Sequence, residues 1–470
     1  MRRIVSLMIL SLLLAGTFAL AFNIGLVHAP NETVYINSDG SVSPSSAPIS
    51  SVNNVTYTLT GNVSYPAYNG IVVERNNTVI DGNGYTVQGN LSGYGLSLTD
   101  ISNVTIENAN IENFQEGIYL YSSSNNTVSG NNVTANSGGG IDLEYSNSSS
   151  ISGNNVRANG FGINLGSSSD NNTVSGNNST ANVFDGIELF SSSDNNTVSG
   201  NTATANIYGI YLRASSGNVL SDNVIADNTY NFGVSGSASG SVLSDFVNHV
   251  DTSNLVEGKP VYYLMNKSNI VISPQTYPEG VGYVCLVNCK NVTVQGLALT
   301  RNYGGLTLAN TTDSKIIGNN LTANGWYGIY LYSSPGDILS GNNVTANYYA
   351  GIWLDNSSGN VLSGNNVTAN SYGSGIWLDN SSSNNTIYHN NFIGNGAQAS
   401  VDSTSIGNTW DNDYPSGGNY WSDYNRTDLY SGQYQNVTGS DGIGDTPYVI
   451  DANNTDFYPL MGGFSDFNVV

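Results

Sequence analysis

Charged residues are scarce in this chain, and basic residues are the scarcest of them. Only 10% of the 470 residues are charged, with 11 lysines and arginines against 34 aspartates and glutamates, for a formal net charge of −23. An average globular domain has about 25% charged residues. Nucleic-acid-binding proteins need clustered Lys and Arg to neutralise phosphates. This composition therefore argues against a nucleic-acid partner and against an anionic membrane surface.

Cysteine is almost absent, with only Cys285 and Cys289 present. Two cysteines exclude a small scaffold held together by several disulfides. On a straight strand the pair would be separated by about 13 Å, which is too far for a disulfide. A corner at Asn288 would bring the two thiols together. A Cys285–Cys289 disulfide and a pair of free thiols are therefore both open.

Long hydrophobic runs are limited to the N-terminus. Arg2 and Arg3 precede an apolar stretch over 4–22, and Val27-His28-Ala29 follows as a small-x-small cleavage site. This order predicts a secretory signal peptide over 1–29, with an uncleaved anchor as the alternative. No second run of about 18 apolar residues follows, so we expect no transmembrane helix in the mature chain. We expect an exported protein, secreted or at the cell surface, whose many Asn-x-Ser/Thr sequons are candidate glycosylation sites.

Helical periodicity is rare after residue 30, and a short repeat takes its place. The phrase Gly-Ile-x-Leu, or a close variant, recurs about every 23 residues, starting at Gly117, Gly140, Gly162, Gly186, Gly209, Gly305, Gly328, Gly351 and Gly375. Two further phrases complete a repeat, as in Asn-Thr-Val-Ser-Gly-Asn from Asn126 and Asn-Val-Thr-Ala-Asn from Asn132. Each phrase alternates apolar and polar residues, which is typical of a strand. Three short strands per repeat predict one coil of a parallel β-helix.

The repeat predicts an all-β protein built as a single parallel β-helix of about fifteen coils. Coils should occupy 57–396, with irregular coils at about 229–300, where the phrases blur. The phrase Gly258-Lys-Pro-Val-Tyr-Tyr263 is predicted to be an excursion or hairpin within them. The ends of a solenoid must be covered, so we expect an N-terminal cap over 30–56 and a Trp-, Tyr- and Asp-rich C-terminal cap over 397–470.

The two x positions of Gly-Ile-x-Leu-x should point outward, because Ile and Leu point into the core. The last three coils then place aromatic rings in a row, about 4.8 Å apart. Such rings can stack on sugar faces, and neighbouring carboxylates can bind sugar hydroxyls. We predict a glycan-binding site at Tyr330, Tyr332, Trp353, Asp355, Trp377 and Asp379. The alternative is an aromatic ladder that only stabilises the sheet.

Evidence for catalysis and for metal binding is weaker. Glycoside hydrolysis needs two suitably spaced carboxyl groups; Asp142, Glu144 and Glu188 are weak candidates, because Asn164 interrupts their column. No cofactor is required, although calcium is an alternative at Asp441 and Asp445, which resemble a fragment of a Ca²⁺ loop. Asx turns in the cap are the other interpretation of these aspartates.

Several longer phrases resemble the NosD-like family, also called the carbohydrate-binding and sugar-hydrolysis (CASH) domain, in its secreted archaeal form. The phrases that carry the resemblance are Gly258–Tyr263, Asn419–Tyr424 and Asp441–Tyr448. The resemblance implies a right-handed parallel β-helix and, from the family's founding role, copper-site maturation of nitrous oxide reductase. That role fits this chain poorly, because His249, His389, Met265 and Met461 form no Met or His cluster of the kind that copper prefers.

These observations favour a non-catalytic secreted or cell-surface β-helix for glycan binding, adhesion or envelope architecture. Its expected partner is a polysaccharide or other glycan, with other cell-surface proteins as further candidate partners. A secreted polysaccharide lyase or glycoside hydrolase is the first alternative. A copper-maturation accessory protein of the NosD type is the second.

Overall fold

The computed structural model describes residues 32–64, 69–237 and 240–466. The predicted signal peptide, 1–29, lies outside these residues. The described ranges are built from short strands, with two 3-10 turns at Leu243–Phe246 and Phe464–Asp466. The chain is an all-β solenoid of about fifteen turns, as predicted. No helix in the described part of the chain is long and apolar enough to span a membrane.

The first half of the coil, which we call the N-terminal solenoid, runs from Val34 to Val256 and has three sheets. The Gly-Ile-x-Leu strands form the N-terminal long sheet, in the order Val42–Ser43, Val34–Ile36, Ile71–Val73, Tyr94–Thr99, Glu116–Tyr121, Gly139–Glu144, Phe161–Gly166, Asp185–Phe190, Tyr208–Arg213 and Tyr230–Ser235. The second sheet contains Ile49–Ser50, Thr56–Leu59, Thr78–Asp81, Val104–Glu107, Thr127–Ser129, Ser150–Ser152, Thr173–Ser175, Thr197–Ser199, Val219–Ser221 and His249–Val250. The third contains Val63–Ser64, Thr86–Gln88, Asn110–Glu112, Asn132–Thr134, Asn155–Arg157, Asn178–Thr180, Thr202–Thr204, Val224–Ala226 and Leu255–Val256.

The second half, the C-terminal solenoid, runs from Lys259 to Trp421 and repeats the pattern. Its Gly-Ile-x-Leu strands form the C-terminal long sheet, with Lys259–Met265, Tyr283–Val287, Gly304–Ala309, Tyr327–Tyr332, Ala350–Asp355, Ser374–Asp379 and Ala397–Val401. The two short-strand sheets contain Val271–Ile272, Thr293–Gln295, Lys315–Ile317, Ile338–Ser340, Val361–Ser363 and Thr386–Tyr388, and Ala298–Thr300, Asn320–Thr322, Asn343–Thr345, Asn366–Thr368, Asn391–Ile393 and Tyr420–Trp421. Two small hairpins follow, Tyr430–Ser431 with Val437–Thr438 and Tyr448–Val449 with Thr455–Asp456.

A hairpin joins the two solenoids and reverses the direction of the strands. Leu255–Val256 pairs antiparallel with Lys259–Met265, as the predicted hairpin at Gly258–Tyr263 suggested. The third sheet of the N-terminal solenoid therefore continues directly into the C-terminal long sheet, giving one sheet of 16 strands. Because the strands now run the other way, the outer face of the C-terminal long sheet turns toward the N-terminal solenoid. Buried outward-facing residues such as Tyr263, Cys285 and Tyr327 accordingly belong to the N-terminal hydrophobic cluster.

Each coil buries the inward residues of its three strands and bonds to the next coil through side-chain amides. Ile141 and Leu143 are fully buried and pair in register with Ile163 and Leu165. At a corner of the coil, Asn154 Oδ1 accepts hydrogen bonds from both the backbone N–H and the Nδ2 of Asn131, each at 3.0 Å. Such a ladder satisfies buried polar groups that the corners would otherwise leave unpaired. This accounts for the high asparagine content of the chain without any ligand.

The two cysteines are free thiols in this structure. Cys285 packs in the N-terminal hydrophobic cluster and Cys289 in the C-terminal one. The two side chains therefore face different cores although only three residues separate them. This geometry explains why the disulfide, which the spacing left open, does not form here.

Parallel pairing extends into both segments predicted as caps. Val34–Ile36 pairs with Ile71–Val73, and Ala397–Val401 pairs with Ser374–Asp379. The remaining C-terminal segment closes the end of the solenoid with Trp421, which is fully buried and stacks on Phe392 at 4.7 Å between ring centroids. The solenoid end is thereby covered by aromatic rings.

Candidate functional site

The predicted glycan strip is partly covered by the N-terminal solenoid. Tyr330, which we expected to be exposed, has only 2% of its surface accessible. The turn at Leu243–Phe246 and the segment before it lie over this tyrosine, with the Phe246 ring 6.2 Å from the Tyr330 ring. Tyr332 is half-buried, and its hydroxyl donates to the Ser241 carbonyl at 2.7 Å. Because the covering residues come from another part of the chain, the repeat pattern alone does not reveal them.

The two aspartates of the predicted strip are also held by protein groups. Asp355 is 5% exposed, and its carboxylate accepts hydrogen bonds from the Tyr330 hydroxyl at 2.9 Å and the Asn380 amide at 2.8 Å. Asp355 therefore does not lie at an open edge, as we had expected. Asp379 is half-buried, and burial raises its pKa, with repulsion from Asp355 adding to the shift. The partly accessible residues of the predicted strip are Tyr332, Trp353, Trp377 and Asp379.

Trp353 and Trp377 belong to a longer row of half-buried rings that we call the aromatic ladder, formed by Tyr303, Trp326, Tyr349, Trp377 and Trp353. Trp353 and Trp377 stack with their ring centroids 4.9 Å apart and their planes 9° apart. Tyr349 continues the row at 5.6 Å from Trp377, and Trp326 stacks on Tyr349 at 4.5 Å. Tyr303 follows, parallel to Trp326 within 8° at 6.1 Å. The ladder therefore crosses several coils in an unbroken series of ring contacts.

The ladder reaches the N-terminal solenoid at Tyr303. Its ring stacks on Tyr211 at 4.5 Å and lies 5.9 Å from Tyr208. Gly233 makes room for this contact, because a Cβ at that position would lie 2.2 Å from the Cβ of Tyr303. The Tyr303 backbone N–H also donates to the Phe232 carbonyl at 2.9 Å. The rings of the two solenoids are thus joined into one surface.

Beside this junction lies a group of carboxylic acids, Glu116, Asp142, Glu144, Asp185 and Glu188, which we call the acid cluster. All five side chains start from the N-terminal long sheet. Burial raises the pKa of Glu116 to about 7, partly offset by the Gly139 N–H that donates to its carboxylate. Burial raises the pKa of Asp142 well above its ordinary value, and repulsion from Glu116, Glu144 and Glu188 adds to the shift. The acids are therefore close enough to influence one another.

The other end of the acid cluster contains the ion pair of the site. Arg213 Nη2 lies 3.1 Å from Glu188 Oε1, and the guanidinium lies 5.3 Å from the centroid of the Phe190 ring. Burial raises the pKa of Glu188 in spite of this partner. Burial also raises the pKa of Asp185 to about 8; Glu188 adds to the shift and Arg213 opposes it. A carboxyl group in this environment is protonated for much of the time near neutral pH.

The weak catalytic candidates are brought together in the acid cluster. Asp142 pairs in register with Asn164, and Asn164 with Glu188. Asp142 and Glu188 thus lie two coils apart, about 10 Å between backbones. Glu144 accepts a hydrogen bond from the Tyr119 hydroxyl at 3.2 Å. The repeat pattern predicts these three acids but not Glu116 and Asp185, which precede the glycine of the repeat and share the same outer face.

The calcium candidates in the C-terminal cap are occupied by hydrogen bonds that shape its loops. Asp445 accepts from the backbone N–H groups of Leu429 and Tyr430, both at 2.9 Å. Asp441 Oδ2 accepts from the Gly432 N–H at 3.3 Å and from the Gln435 amide at 3.2 Å. These contacts account for both aspartates as loop-organising residues. Calcium binding there stays a prediction.

The ladder residues missed by sequence reasoning also had a local signal. Tyr303, Trp326 and Tyr349 each lie two residues before the glycine that opens the repeat phrase, at Gly305, Gly328 and Gly351. Strand alternation assigns an outward face only to the two x positions of Gly-Ile-x-Leu-x. The turn before each long strand projects from the same side of the coil, so its aromatic residues join the same surface.

Several solved structures share the β-helix architecture at low similarity. They include the periplasmic alginate epimerase AlgG, at 13% identity over 77% of this chain and 79% of that chain, with a TM-score of 0.29. The A-module of the Azotobacter vinelandii mannuronan C-5 epimerase AlgE4 shares 15% identity over 75% of this chain and 88% of its own, with a TM-score of 0.27. A tailspike protein of E. coli bacteriophage HK620, solved in complex with a pentasaccharide, shares 12% identity over 75% and 70%, with a TM-score of 0.35. Scores this low support no inference about activity, and no curated protein matches the chain.

Family models give a clearer result. A model of the right-handed β-helix region matches residues 47–203. A model described as periplasmic copper-binding protein (NosD) matches residues 136–280 and 247–426. The second pair of ranges covers more than half of the chain. It spans the N-terminal long sheet from Gly139 onward, the C-terminal long sheet, the acid cluster without Glu116, and the whole aromatic ladder.

The residues present do not fit a copper site. No group of three or more His, Cys, Asp or Glu side chains with metal-binding geometry occurs in the described ranges. His389 stacks on Phe464 at 4.1 Å, and Cys285 and Cys289 are buried in different clusters. Copper in proteins is held by grouped imidazole, thiolate or thioether ligands. The repeat, the fold and the family match nevertheless agree with one another, and the chain belongs to the NosD family of right-handed β-helix proteins.

Proposed function

We propose that this protein is an exported, non-catalytic β-helix that binds a glycan along the aromatic ladder. The observation that carries the proposal is the unbroken series of half-buried rings from Tyr303 to Trp353. Neighbouring rings of the ladder cover much of one another's faces, so the surface that each half-buried ring leaves free is its outer edge. A row of such edges gives a weakly polar surface on which sugar rings can lie, with their hydroxyl groups bonding to polar groups at the side.

The spacing of the ladder supports an extended ligand. Successive coils lie about 4.8 Å apart, which is close to the length of one pyranose unit. A polysaccharide that follows the ladder would therefore place successive sugars over successive rings. The acid cluster and Arg213 lie at the Tyr303 end, where they can form hydrogen bonds with sugar hydroxyls. A surface poor in charge, as this chain has, suits a partner recognised by stacking and hydrogen bonds.

The exported location is part of the proposal. The N-terminal sequence has the order of a secretory signal, and the family is described as periplasmic. An exported glycan-binding rod would act in adhesion or envelope architecture. Its ligand would be a glycan of the cell surface or its surroundings.

The proposal is tested by binding measurements on the mature chain with a panel of neutral, amino-sugar and uronate oligosaccharides. Trp326→Ala and Tyr349→Ala should each weaken binding at least tenfold, since truncating a central aromatic contact typically removes more than about 1.4 kcal/mol. Tyr434→Ala is the control, because Tyr434 is a strongly exposed ring in the C-terminal cap, away from the ladder. Unchanged affinity in both ladder variants, or no binding to any glycan, would refute the proposal.

Hydrolysis is a second candidate function, favoured by the arrangement of Asp142 and Glu188. Their backbones lie about 10 Å apart across Asn164, close to the upper end of the 6.5–9.5 Å carboxyl separation of inverting glycosidases. The raised pKa of Asp142 would suit a general acid. New reducing ends released by the wild type and not by Asp142→Asn would establish this activity and replace the non-catalytic assignment.

A further inference from the structure

Three side-chain oxygens in and beside the acid cluster are buried without any hydrogen-bond donor. They are Oδ1 of Asp142, Oδ1 of Asn164 and Oδ1 of Asp185. Asp142 and Asn164 are paired in register, and Asp185 starts the next strand of the same sheet. Asn164 and Asp185 are at least nine-tenths buried. An unpartnered buried polar atom destabilises a protein by about 1–3 kcal/mol, and three on successive coils are unusual.

The groups around these oxygens are almost all acceptors or acids. Asp142 faces Glu116, Glu144 and Glu188, and the hydroxyl of Tyr119 is already donated to Glu144. No lysine or histidine perturbs Asp142. The site therefore has an excess of acidic groups, and no basic group offsets them at Asp142.

The single cation that acts on the other end of this row is engaged elsewhere. Asp185 faces Glu188 and Arg213. Burial raises the pKa of the Tyr208 hydroxyl, and the charge of Asp185 adds to this shift. Arg213 Nε and Nη2 both lie against Glu188 Oε1, at 3.2 and 3.1 Å. Asp185 Oδ1 is left without a donor. The missing component is a group that supplies both hydrogen-bond donors and positive charge.

A primary ammonium group has this chemistry, with three N–H donors, one positive charge and no acceptor. A metal ion is less suitable, because the carboxylates form no metal-binding group within the described residues. Asp142 and Glu144 are only half-buried, so the cluster opens to solvent on their side. An amine carried by an extended ligand can enter there.

We propose that the acid cluster and Asn164 bind protonated amines of an amino-sugar glycan, so that the preferred ligand carries free amino groups and no uronate carboxylates. This inference rests on the proposed glycan-binding function and names its substrate class. The glycan would lie along the coil axis, with donors meeting the acceptors of successive coils about 4.8 Å apart. Uronates would bring further negative charge to the same acids and would be rejected.

The pH dependence should distinguish this ligand from a neutral glycan. An ammonium group favours the ionised form of Asp142 and Asp185, whose carboxyl groups hold protons more tightly than usual in the free protein. Binding an amine therefore releases protons, and its affinity should rise with pH from pH 5 upward for as long as the sugar amine stays protonated, and fall once that amine loses its proton near neutral pH. A neutral glycan would show a flat profile or one of the opposite slope.

The experiment compares a hexamer of β-1,4-linked glucosamine with its fully N-acetylated form and with a hexagalacturonate, by calorimetry on the full mature chain. The glucosamine hexamer should bind at least tenfold more tightly than the acetylated hexamer. Asp142→Asn and Asp185→Asn should each lower its affinity about tenfold and leave the acetylated hexamer unaffected. Asp222→Asn is the matched control, because Asp222 is exposed and the substitution removes the same charge outside the cluster.

The outcomes separate the inference from the proposed function. Equal affinity for the amine and acetylated hexamers, or preference for the uronate, would overturn the inference while the ladder variants still test glycan binding. Amine binding that needs added Ca²⁺ and disappears with a chelator would also overturn it, since the acids would then be metal ligands. Thermal denaturation of each Asn variant confirms folding, and neither substitution changes side-chain size.

Discussion

Replacing Asp337 with asparagine should stabilise the protein, and the gain should depend on pH. Asp337 lies at a corner of its coil, within a row of side chains that bond one coil to the next. Its Oδ1 accepts from the Ser314 N–H and its N–H donates to Asn360 Oδ1, both at 2.7 Å. Its Oδ2 is buried and has no partner. At the equivalent position of the N-terminal solenoid, Asn172 uses its Nδ2 to donate to the Ser146 carbonyl at 2.9 Å. An asparagine at 337 would remove the buried carboxyl group and would supply an Nδ2 donor of the kind that Asn172 uses, whereas the Nδ2 of Asn360 on the next coil has no partner.

The magnitude follows from the linkage between proton binding and folding. Burial raises the pKa of Asp337 from an ordinary value of 3.8 to about 8, with Asp313 adding to the shift and the Ser314 N–H opposing it. The folded state therefore holds a proton that the unfolded chain releases, so stability is full below the lower value and declines as pH rises toward 8. A pH of 7 lies about three pH units above the pKa of this carboxyl group in the unfolded chain, and each unit lowers the free energy of unfolding by about 1.4 kcal/mol. The free energy of unfolding at pH 7 is therefore lowered by at most about 4 kcal/mol. The net contribution of one hydrogen bond, about 1 kcal/mol, gives the lower end of the expected effect.

Thermal denaturation of wild type and Asp337→Asn at pH 4, 7 and 8 measures this effect. The variant should melt higher at pH 7 and 8, and the difference should shrink at pH 4. Asn172→Asp is the reciprocal control and should lose stability at pH 7, because it places a buried charge at the same corner position. Equal melting temperatures of Asp337→Asn and wild type at all three pH values would refute the reasoning.

Two further substitutions test the packing. Gly233→Ala should destabilise the junction between the solenoids by about 1–3 kcal/mol, because its Cβ would meet Tyr303; a lower melting temperature with altered near-ultraviolet circular dichroism is expected, and an unchanged melt would contradict the junction. Ile141→Asp should lower the melting temperature far more than Thr134→Asp, since Ile141 is fully buried and an unpaired charge would enter the core. Similar melts for these two variants would show that the inward and outward faces are wrongly assigned.

The repeat allowed the core to be predicted residue by residue. Ile118 and Leu120 pair in register with Ile141 and Leu143, and all four are fully buried. This success has a local cause, because alternation within a strand decides which side chains point inward. The all-β class and the solenoid follow from the same pattern.

The outer surface could not be predicted in the same way. Tyr330 occupies an outward position but is buried, because the hairpin at Leu255–Met265 reverses the strands and brings the Phe246 segment over it. Alternation says which face a side chain takes, and it carries no information about what another part of the chain places on that face. The hairpin itself was expected from Gly258–Tyr263, but the reversal depends on pairing between distant strands.

The candidate site was predicted in part for the same reason. Trp353 and Trp377 were correctly placed next to each other, since they occupy equal positions of adjacent repeats. Trp326 and Tyr349 were missed because they lie in turns, where no strand alternation assigns a face. The acid cluster was recognised only through Asp142, Glu144 and Glu188, and its buried unpartnered oxygens became visible only in three dimensions.

A crystal structure of the mature chain with a bound oligosaccharide from the panel tests the central claim most directly. The account predicts sugar rings lying over the outer edges of Trp326, Tyr349 and Trp377, with the chain of sugars parallel to the coil axis and one end at the acid cluster. Sugar density on the short-strand sheets or on the C-terminal cap, with the ladder bare, would contradict it.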